Sequence, residues 1–402
     1  MAHGAVGATM DAMARYRVLV AGGGVAALEG ALALQHVGED RVSVTLVAPE
    51  PRFWYRPLAV VESFGVGRLH GLDLAELADE CGALFVVDAL ASVDADAHVA
   101  RTTSGAEFPY DALLVATGAR PVAAIPGAIT FRGPADVEAF SAVLAALQTG
   151  SLRRVVFAVP GGVAWPLPLY ELALQTAAFL DERGVSGVEL TLVTHEDSPL
   201  GVFGTAATTA VAELLERRGI ALRAGAYALA FEGSALALAP SGRIATDAVV
   251  ALPRLTGVPI DGIPCDADGF IPTDPSGRVR GVDDVYAAGD AVAFPVKQGG
   301  IAAQQADAAA ETIAAVAGAS IEPEPFRPVL RGLLLTGGAP TFMRAELAGG
   351  SGDTSVAGGE LLWWPPGKIV GRYLAPFLAE RAGVILSPPP AGDVLPVEVV
   401  AG

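Results

Sequence analysis

The chain is short of cysteine, of basic side chains and of unbroken apolar runs. Its 402 residues include two cysteines, Cys81 and Cys265. They stand too far apart in sequence to write a disulfide framework or a CxxC metal or redox pair, so a reducing, cytoplasmic setting is expected. Lys and Arg number 26 against 44 Asp and Glu, a formal net charge of −18. That balance excludes nucleic acid as a partner and tight docking on an anionic lipid surface. No uninterrupted apolar run reaches the ~18 residues a membrane span needs. The nearest candidates, 25–37 and 164–180, are broken by Glu29, Gln35, Glu171 and Gln175 and read as buried helices. The histidines, His3, His36, His70, His98 and His195, form no ligand spacing, and no metal is expected. Residues 1–14 lack the basic start and compact apolar stretch of a signal peptide and are expected to be a loose tail.

What is present is a globular composition, 52% hydrophobic and 17% charged, in a chain long enough for two or three domains. A short apolar strand over 16–21 enters a Gly-rich turn. A helix of small and aliphatic residues follows over 25–37, then a strand from Arg41 to Val47. This is a strand–turn–helix–strand unit. A helix over 72–82, a strand over 83–87 and an antiparallel pair at 93–100 and 108–110 precede a last parallel strand, 112–116. Pro121, Pro126 and Pro134 then mark a domain crossing. A second strand–turn–helix–strand unit starts at Arg154, and a further helix spans 206–218. Short strands fill 226–250, and strand 284–287 leads back to the first domain, ahead of an Ala-rich helix over 300–317. The expected architecture is α/β: two Rossmann-like three-layer domains, the second inserted in the first. The pieces are 15–125 and 253–323 for the first domain, 126–252 for the second, and a C-terminal segment, 324–402.

Two stretches far apart carry matching halves of one cofactor site. In the first, Gly22-Gly-Gly24-Val-Ala-Ala27 follows a strand and opens a helix. Gly22 permits the tight turn, Gly24 lets backbone approach a pyrophosphate, and Ala27 keeps helix and strand close. The helix N-terminus offers free N–H groups and a positive dipole end to the anion. Glu50, just past the second strand, could reach a ribose; Ala48 fills the place where an acid is usual. In the second, Gly289-Asp290 ends a strand and puts a carboxylate where a ribityl chain would run. The helix beginning near Gly300 would aim its N–H groups at a flavin pyrimidine ring, and Lys297 would add positive charge there. Thr117-Gly118 ends another strand with small residues that let backbone pass close to the cofactor. Together these halves indicate FAD.

These residues resemble the FAD-dependent oxidoreductases with two dinucleotide-binding domains. The resemblance is nearest to the branch of sulfide:quinone oxidoreductases and type II NADH dehydrogenases. Gly22–Ala27, Tyr110–Gly118, Gly281–Asp290 and Pro295–Ala306 carry it, and Leu200-Gly-Val-Phe203-Gly204 is similar to the sulfide-oxidising members. The resemblance implies that Gly22, Gly24 and Ala27 hold the pyrophosphate and that Thr117 and Gly118 line the flavin. It implies that Asp290 binds the ribityl chain, with Lys297 and Ile301 at the pyrimidine edge. It adds Val25, Ala26, Arg56, Ala89, Ala116, Gly289 and Gly300 to the cofactor-contacting set. Disulfide-exchanging relatives carry a cysteine pair on the helix facing the flavin, and sulfide oxidisers carry cysteines after the Thr-Gly strand end or in the second turn. Neither Ala119–Arg132 nor Pro160–Glu171 contains one. Cys265 is read as structural.

The second turn, Val159-Pro160-Gly161-Gly162-Val-Ala-Trp165-Pro166-Leu-Pro168, departs from the GxGxxG of a nicotinamide site. Pro160 removes a donor, and Trp165 and Pro166 stand where small residues are needed. Either Glu196 still binds a ribose there, or Trp165 and its prolines wall a pocket for another substrate. Leu361–Phe377 mixes aromatics, including Trp363 and Trp364, with Lys368 and Arg372. It could be an interfacial anchor, a lid over a quinone pocket, or a packing or dimer element. The expected function is that of an FAD enzyme moving two electrons from an unidentified donor through flavin N5 to a quinone or small carrier. Lys297 would give electrostatic support. An NAD(P)H:acceptor reductase and a non-catalytic flavoprotein stand beside it, and peripheral membrane contact and a homodimer are left open.

Overall fold

A computed structural model describes residues 15–66, 71–347 and 356–383. The expected tail at 1–14 and the end of the C-terminal segment, 384–402, lie outside the described residues. The chain opens with β1 (Tyr16–Ala21), α1 (Val25–Gly38) and β2 (Val42–Ala48), followed by β3 (Leu84–Val87) and β4 (Ala112–Val115). β1 pairs in parallel with both β2 and β4, and β2 with β3. Alternation along β1 serves two layers. Val18 and Val20 point into a core with Leu28, Leu34 and Leu46, whereas Leu19 and Ala21 face Val93, Ala100 and Tyr110. That second layer is a meander of strands Leu90–Asp94, Val99–Thr102 and Glu107–Pro109, one strand more than the sequence suggested.

A second parallel sheet is built next, from β5 (Ile129–Thr130), β6 (Arg154–Ala158), β7 (Glu189–Val193), β8 (Ile220–Arg223) and β9 (Ala248–Ala251). Its order is β5-β9-β6-β7-β8, and α2 (Leu167–Glu182) crosses between β6 and β7. Helix Val137–Thr149, for which no expectation was drawn, buries Phe140, Val143, Leu144 and Leu147 against this sheet. The two chain crossings run side by side, since Arg120–Val122 pairs antiparallel with Arg254–Thr256. β10 (Val285–Ala287) then pairs with β4, completing the first sheet in the order β10-β4-β1-β2-β3, and α3 (Gly299–Val316) packs on α1. The architecture is therefore two Rossmann-like α/β domains, with the second sheet formed between β4 and β10.

The C-terminal segment adds an antiparallel sheet of β11 (Val329–Leu334), β12 (Thr341–Glu346) and β13 (Val356–Gly358), then α4 (Leu374–Arg381). Trp363 is fully buried, packs edge-on to Phe342 at 5.0 Å, and donates from Nε1 to the Gly367 carbonyl at 3.0 Å. It is a packing residue, so the interfacial-anchor reading fails for it: its ring has no exposed face to present to lipid. Among the described residues no helix is long and apolar enough to cross a membrane.

Candidate functional site

The two sequence halves meet. Gly22, at φ +139°, leaves no room for a side chain, since a Cβ there would stand 2.1 Å from the Ala116 carbonyl oxygen. The turn after β1 is thereby pressed against the end of β4, where Ala116, Thr117 and Gly118 lie. Gly289 at φ +78° closes the other side; a Cβ on it would stand 2.9 Å from Ala26 Cβ in the first turn of α1. Its N–H donates to Gln305 Oε1 at 2.8 Å. Gly24 is the N-cap of α1 and faces open space, while Ala27 is fully buried beneath it. Thus residues 22–24, 116–118 and 289–290 form one cradle with a bare helix N-terminus.

FAD fits this cradle. Thr117 Oγ1 is buried without a partner, and the Asp290 carboxylate has no hydrogen-bond partner among the described residues, although burial pushes its pKa up. Lys297 and Arg56 oppose that shift electrostatically. An unpaired hydroxyl and carboxylate beside an open helix start are the groups that phosphate-linked sugar hydroxyls would satisfy. Val25 sits in the first helical turn beside Ala26. Glu50 is exposed past the end of β2, and Ala89 lies in the loop after β3, where its N–H bonds Asp88 Oδ1 and its carbonyl accepts from Thr103.

The α3 end of the site differs in detail from expectation. The helix begins at Gly299, and the Gln298 side chain caps it, accepting from the Ile301 N–H at 2.9 Å. That amide is therefore taken, and the Ile301 side chain is buried in the core rather than turned to the site. The N–H groups of Gly299 and Gly300 remain as the helix-start donors. Gln298 Nε2 also donates to the Arg331 carbonyl at 3.2 Å, tying the helix start to β11. Lys297 stands 3.8 Å over the Phe270 ring and donates to the Val292 carbonyl. Burial lowers its pKa to about 8, with Asp290 and Asp266 pulling the other way.

Asp290, Lys297 and Arg56 open into a cavity of about 610 Å³, walled across the domain boundary by Trp165, Pro168 and Phe270. Lys368 completes the wall from the C-terminal segment. Its Nζ lies 2.7 and 2.5 Å from the two oxygens of Glu171, which is fully buried on α2, and 3.1 Å from the Pro57 carbonyl. Sequence reasoning missed this pair. The signal was a carboxylate interrupting an apolar helix and a cation among aromatics.

The second nucleotide turn is remodelled. In the first unit residues 22–24 separate strand from helix; here residues 159–166 do, and α2 starts only at Leu167 behind Pro166. Trp165 packs against Phe203 at 5.7 Å. Gly161 lies under Tyr227, whose ring a Cβ would approach to 3.2 Å. Glu196 is turned inward, its Oε2 accepting from the Tyr170 and Thr194 hydroxyls, each at 2.8 Å. A ribose would have to compete for that carboxylate oxygen. The cysteines are both free: Cys81 is buried, its thiol pushed up to about 12 mainly by that burial, and Cys265 is exposed next to cavity-lining Asp266. Among the described residues no group of three His, Cys, Asp or Glu side chains is arranged to hold a metal ion.

The model of pyridine nucleotide-disulphide oxidoreductases matches residues 16–312. The chain belongs to that family. FAD is the cofactor the family assignment brings to the cradle, and the protein is by family a flavin-dependent oxidoreductase. A sulfide-quinone reductase of Aquifex aeolicus is 29% identical over 213 residues, 50% of this chain and 47% of that protein, so the chain spans about half the length of that relative. An NADH dehydrogenase-like protein of Mycobacterium tuberculosis is 25% identical over 298 residues, 69% of this chain and 73% of that one. Among solved structures, the sulfide:quinone oxidoreductase of Aquifex aeolicus superposes with a TM-score of 0.78 at 22% identity, covering 86% of this chain and 87% of that one. A putidaredoxin reductase in complex with putidaredoxin gives 0.62 at 18% identity, over 84% and 82%. At those identities the superpositions speak for the fold. In this chain the cradle lies within the matched range, and residues 162–165 and Lys368, paired with Glu171, wall the cavity beside it.

Proposed function

We propose that this oxidoreductase passes two electrons from a donor other than NAD(P)H to a quinone or small electron carrier, without a redox-active cysteine pair. The observation that carries the reading is the second nucleotide turn, which has become a cavity wall instead of a phosphate cradle. FAD, when bound, supplies the two-electron chemistry. The chain's own residues do the rest. Gly22, Gly24 and the α1 N-terminus would hold the pyrophosphate, and Thr117 and Asp290 would take hydroxyls. The Gly299 and Gly300 amides and Lys297 would offer the bound flavin positive charge from the start of α3. Trp165, Phe270 and Pro168 exclude water from an apolar substrate. Lys297, with its pKa near 8, can carry or release a proton close to neutral pH.

The test is an anaerobic visible spectrum of the purified yellow protein before and after NADH. The expected result is an unbleached flavin with NADH and bleaching by a sulfur compound or other small donor. Rapid bleaching by NADH would overturn the proposal in favour of an NAD(P)H:acceptor reductase. Flavin reduced by no donor would favour a non-catalytic flavoprotein.

A further inference from the structure

Glu29 and Asp307 face each other carboxyl to carboxyl, on α1 and α3, within hydrogen-bonding reach. Glu29 is fully buried. It accepts from the Tyr373 and Leu374 N–H groups at 2.8 and 2.7 Å, and so caps α4. Gly371 passes close against the carboxylate: a Cβ there would stand 2.3 Å from Glu29 Oε2 and would push that carboxyl aside. The residues that cross this pair, 359–383, form a strap. It runs from Trp363 past Lys368 in the cavity wall and over the Glu29–Asp307 pair to α4, where Arg381 ion-pairs with Glu76 and Glu80 of helix Leu74–Glu80.

We propose that this strap is a pH-sensitive latch: the Glu29–Asp307 pair holds it down while it shares one proton and loosens it when that proton leaves. Two ionised carboxylates at this separation in a buried setting repel strongly. Glu29 keeps the charge, because two backbone N–H donors at a helix start favour the carboxylate. Asp307 therefore carries the proton and donates it to Glu29; burial and the Glu29 charge both push its pKa well up. Asp307 Oδ1 has no partner of its own. The other groups facing the pair are known. Glu311, also on α3, accepts from Arg372 of the strap at 3.0 Å and from the Glu324 N–H at 2.9 Å. That leaves three carboxyls around one guanidinium. Tyr373 lies beside them with its hydroxyl unpartnered, and His36 of α1 has its ring 5.4 Å from that of Tyr373.

The sign follows from linkage. An Asp with its pKa raised in the latched state and ordinary in the open state binds more protons when latched. Rising pH therefore favours opening, from the ordinary aspartate range up to the latched value, and has no further effect above it.

The test is hydrogen exchange of the FAD-loaded full chain from about pH 5 to about pH 9 (the span in which buried carboxyls titrate), corrected for intrinsic exchange. Protection of the Tyr373 and Leu374 amides is expected to fall about tenfold per pH unit within the window, the signature of one proton. Flat protection in the unmodified protein overturns the proposal. In Asp307→Asn, whose amide still donates to Glu29 but cannot ionise, protection is expected to stay flat. A decline that persists there, as His36 or Arg372 chemistry would give, also overturns it. If Asp307→Asn does not fold, Glu29→Gln removes the like charge instead and is expected to flatten the profile in the same way. The unmodified profile alone still decides the proton count.

Discussion

Replacing Lys368 by methionine strips the counter-charge from a carboxylate that has no contact with water. Glu171 is fully buried and would keep a single donor, the Leu335 N–H at 2.9 Å. Breaking a buried pair in this way costs about 3–5 kcal/mol near neutral pH. In a domain of this size each kcal/mol moves the thermal midpoint by about 2–4 °C, so a drop of roughly 6–20 °C is expected. The deficit should depend on pH. Burial already raises the Glu171 pKa against the pull of Lys368 and the Leu335 N–H; without Lys368 it rises further, so over a wider range the folded variant binds a proton that the unfolded chain releases at the ordinary glutamate value. The variant then regains about 1.4 kcal/mol per pH unit as pH falls through that window, and near pH 5, by the same linkage, only the lost packing and the Pro57 contact remain. A double variant, Glu171→Leu with Lys368→Met, removes the stranded charge; relative to the single variant it adds only the unpaired Leu335 N–H, about 1–3 kcal/mol, since the Pro57 carbonyl loses Lys368 in both. Thermal unfolding followed by circular dichroism at several pH values, with flavin content checked alongside, reads all three proteins. A Lys368→Met deficit that is the same at every pH, or a double variant as weak as the single one, would refute the buried-pair reasoning.

Gly22→Ala should abolish FAD retention, seen as loss of the visible flavin band, because the new methyl meets a backbone oxygen that cannot move aside. Lys297→Met should lower the flavin midpoint potential by about 30 mV if the lost stabilisation of reduced flavin is about 1.4 kcal/mol for two electrons. In the unmodified protein that support should fade as pH rises through about 8, where Lys297 loses its charge. Dye-equilibrium titrations across that range check both, and a variant with an unchanged pH profile would rule Lys297 out. Trp165→Ala should raise the KM for the acceptor with little change in flavin content, measured by steady-state turnover once an acceptor is in hand.

The parts of the fold legible in the sequence were those set by local geometry. Strand alternation at Val18–Ala21 and the glycines of the first turn declare themselves because each residue's constraint comes from its near neighbours. The helix Val137–Thr149 was equally legible, since Phe140, Val143, Leu144 and Leu147 fall at helical spacing, but the surrounding prolines drew attention to a crossing instead. What was not legible depended on distant pairing. Nothing local links Glu171 to Lys368 or Glu29 to Tyr373; each was visible only as a charge in an apolar setting. The resemblance put Ile301 at the pyrimidine edge; its N–H is bonded by the Gln298 side chain, a local cap that the motif alone did not reveal. Glu196 followed the same logic, drawn inward by Tyr170 and Thr194.

The cysteine pattern also makes this protein convenient to instrument. Cys81 is sealed in the core with its thiolate suppressed, whereas Cys265 is exposed beside Asp266 at the cavity. A maleimide dye added to the native chain should therefore attach at one place, without mutagenesis, within reach of whatever enters. Its emission would give a direct optical titration of candidate donors and acceptors, including those that leave the flavin spectrum untouched.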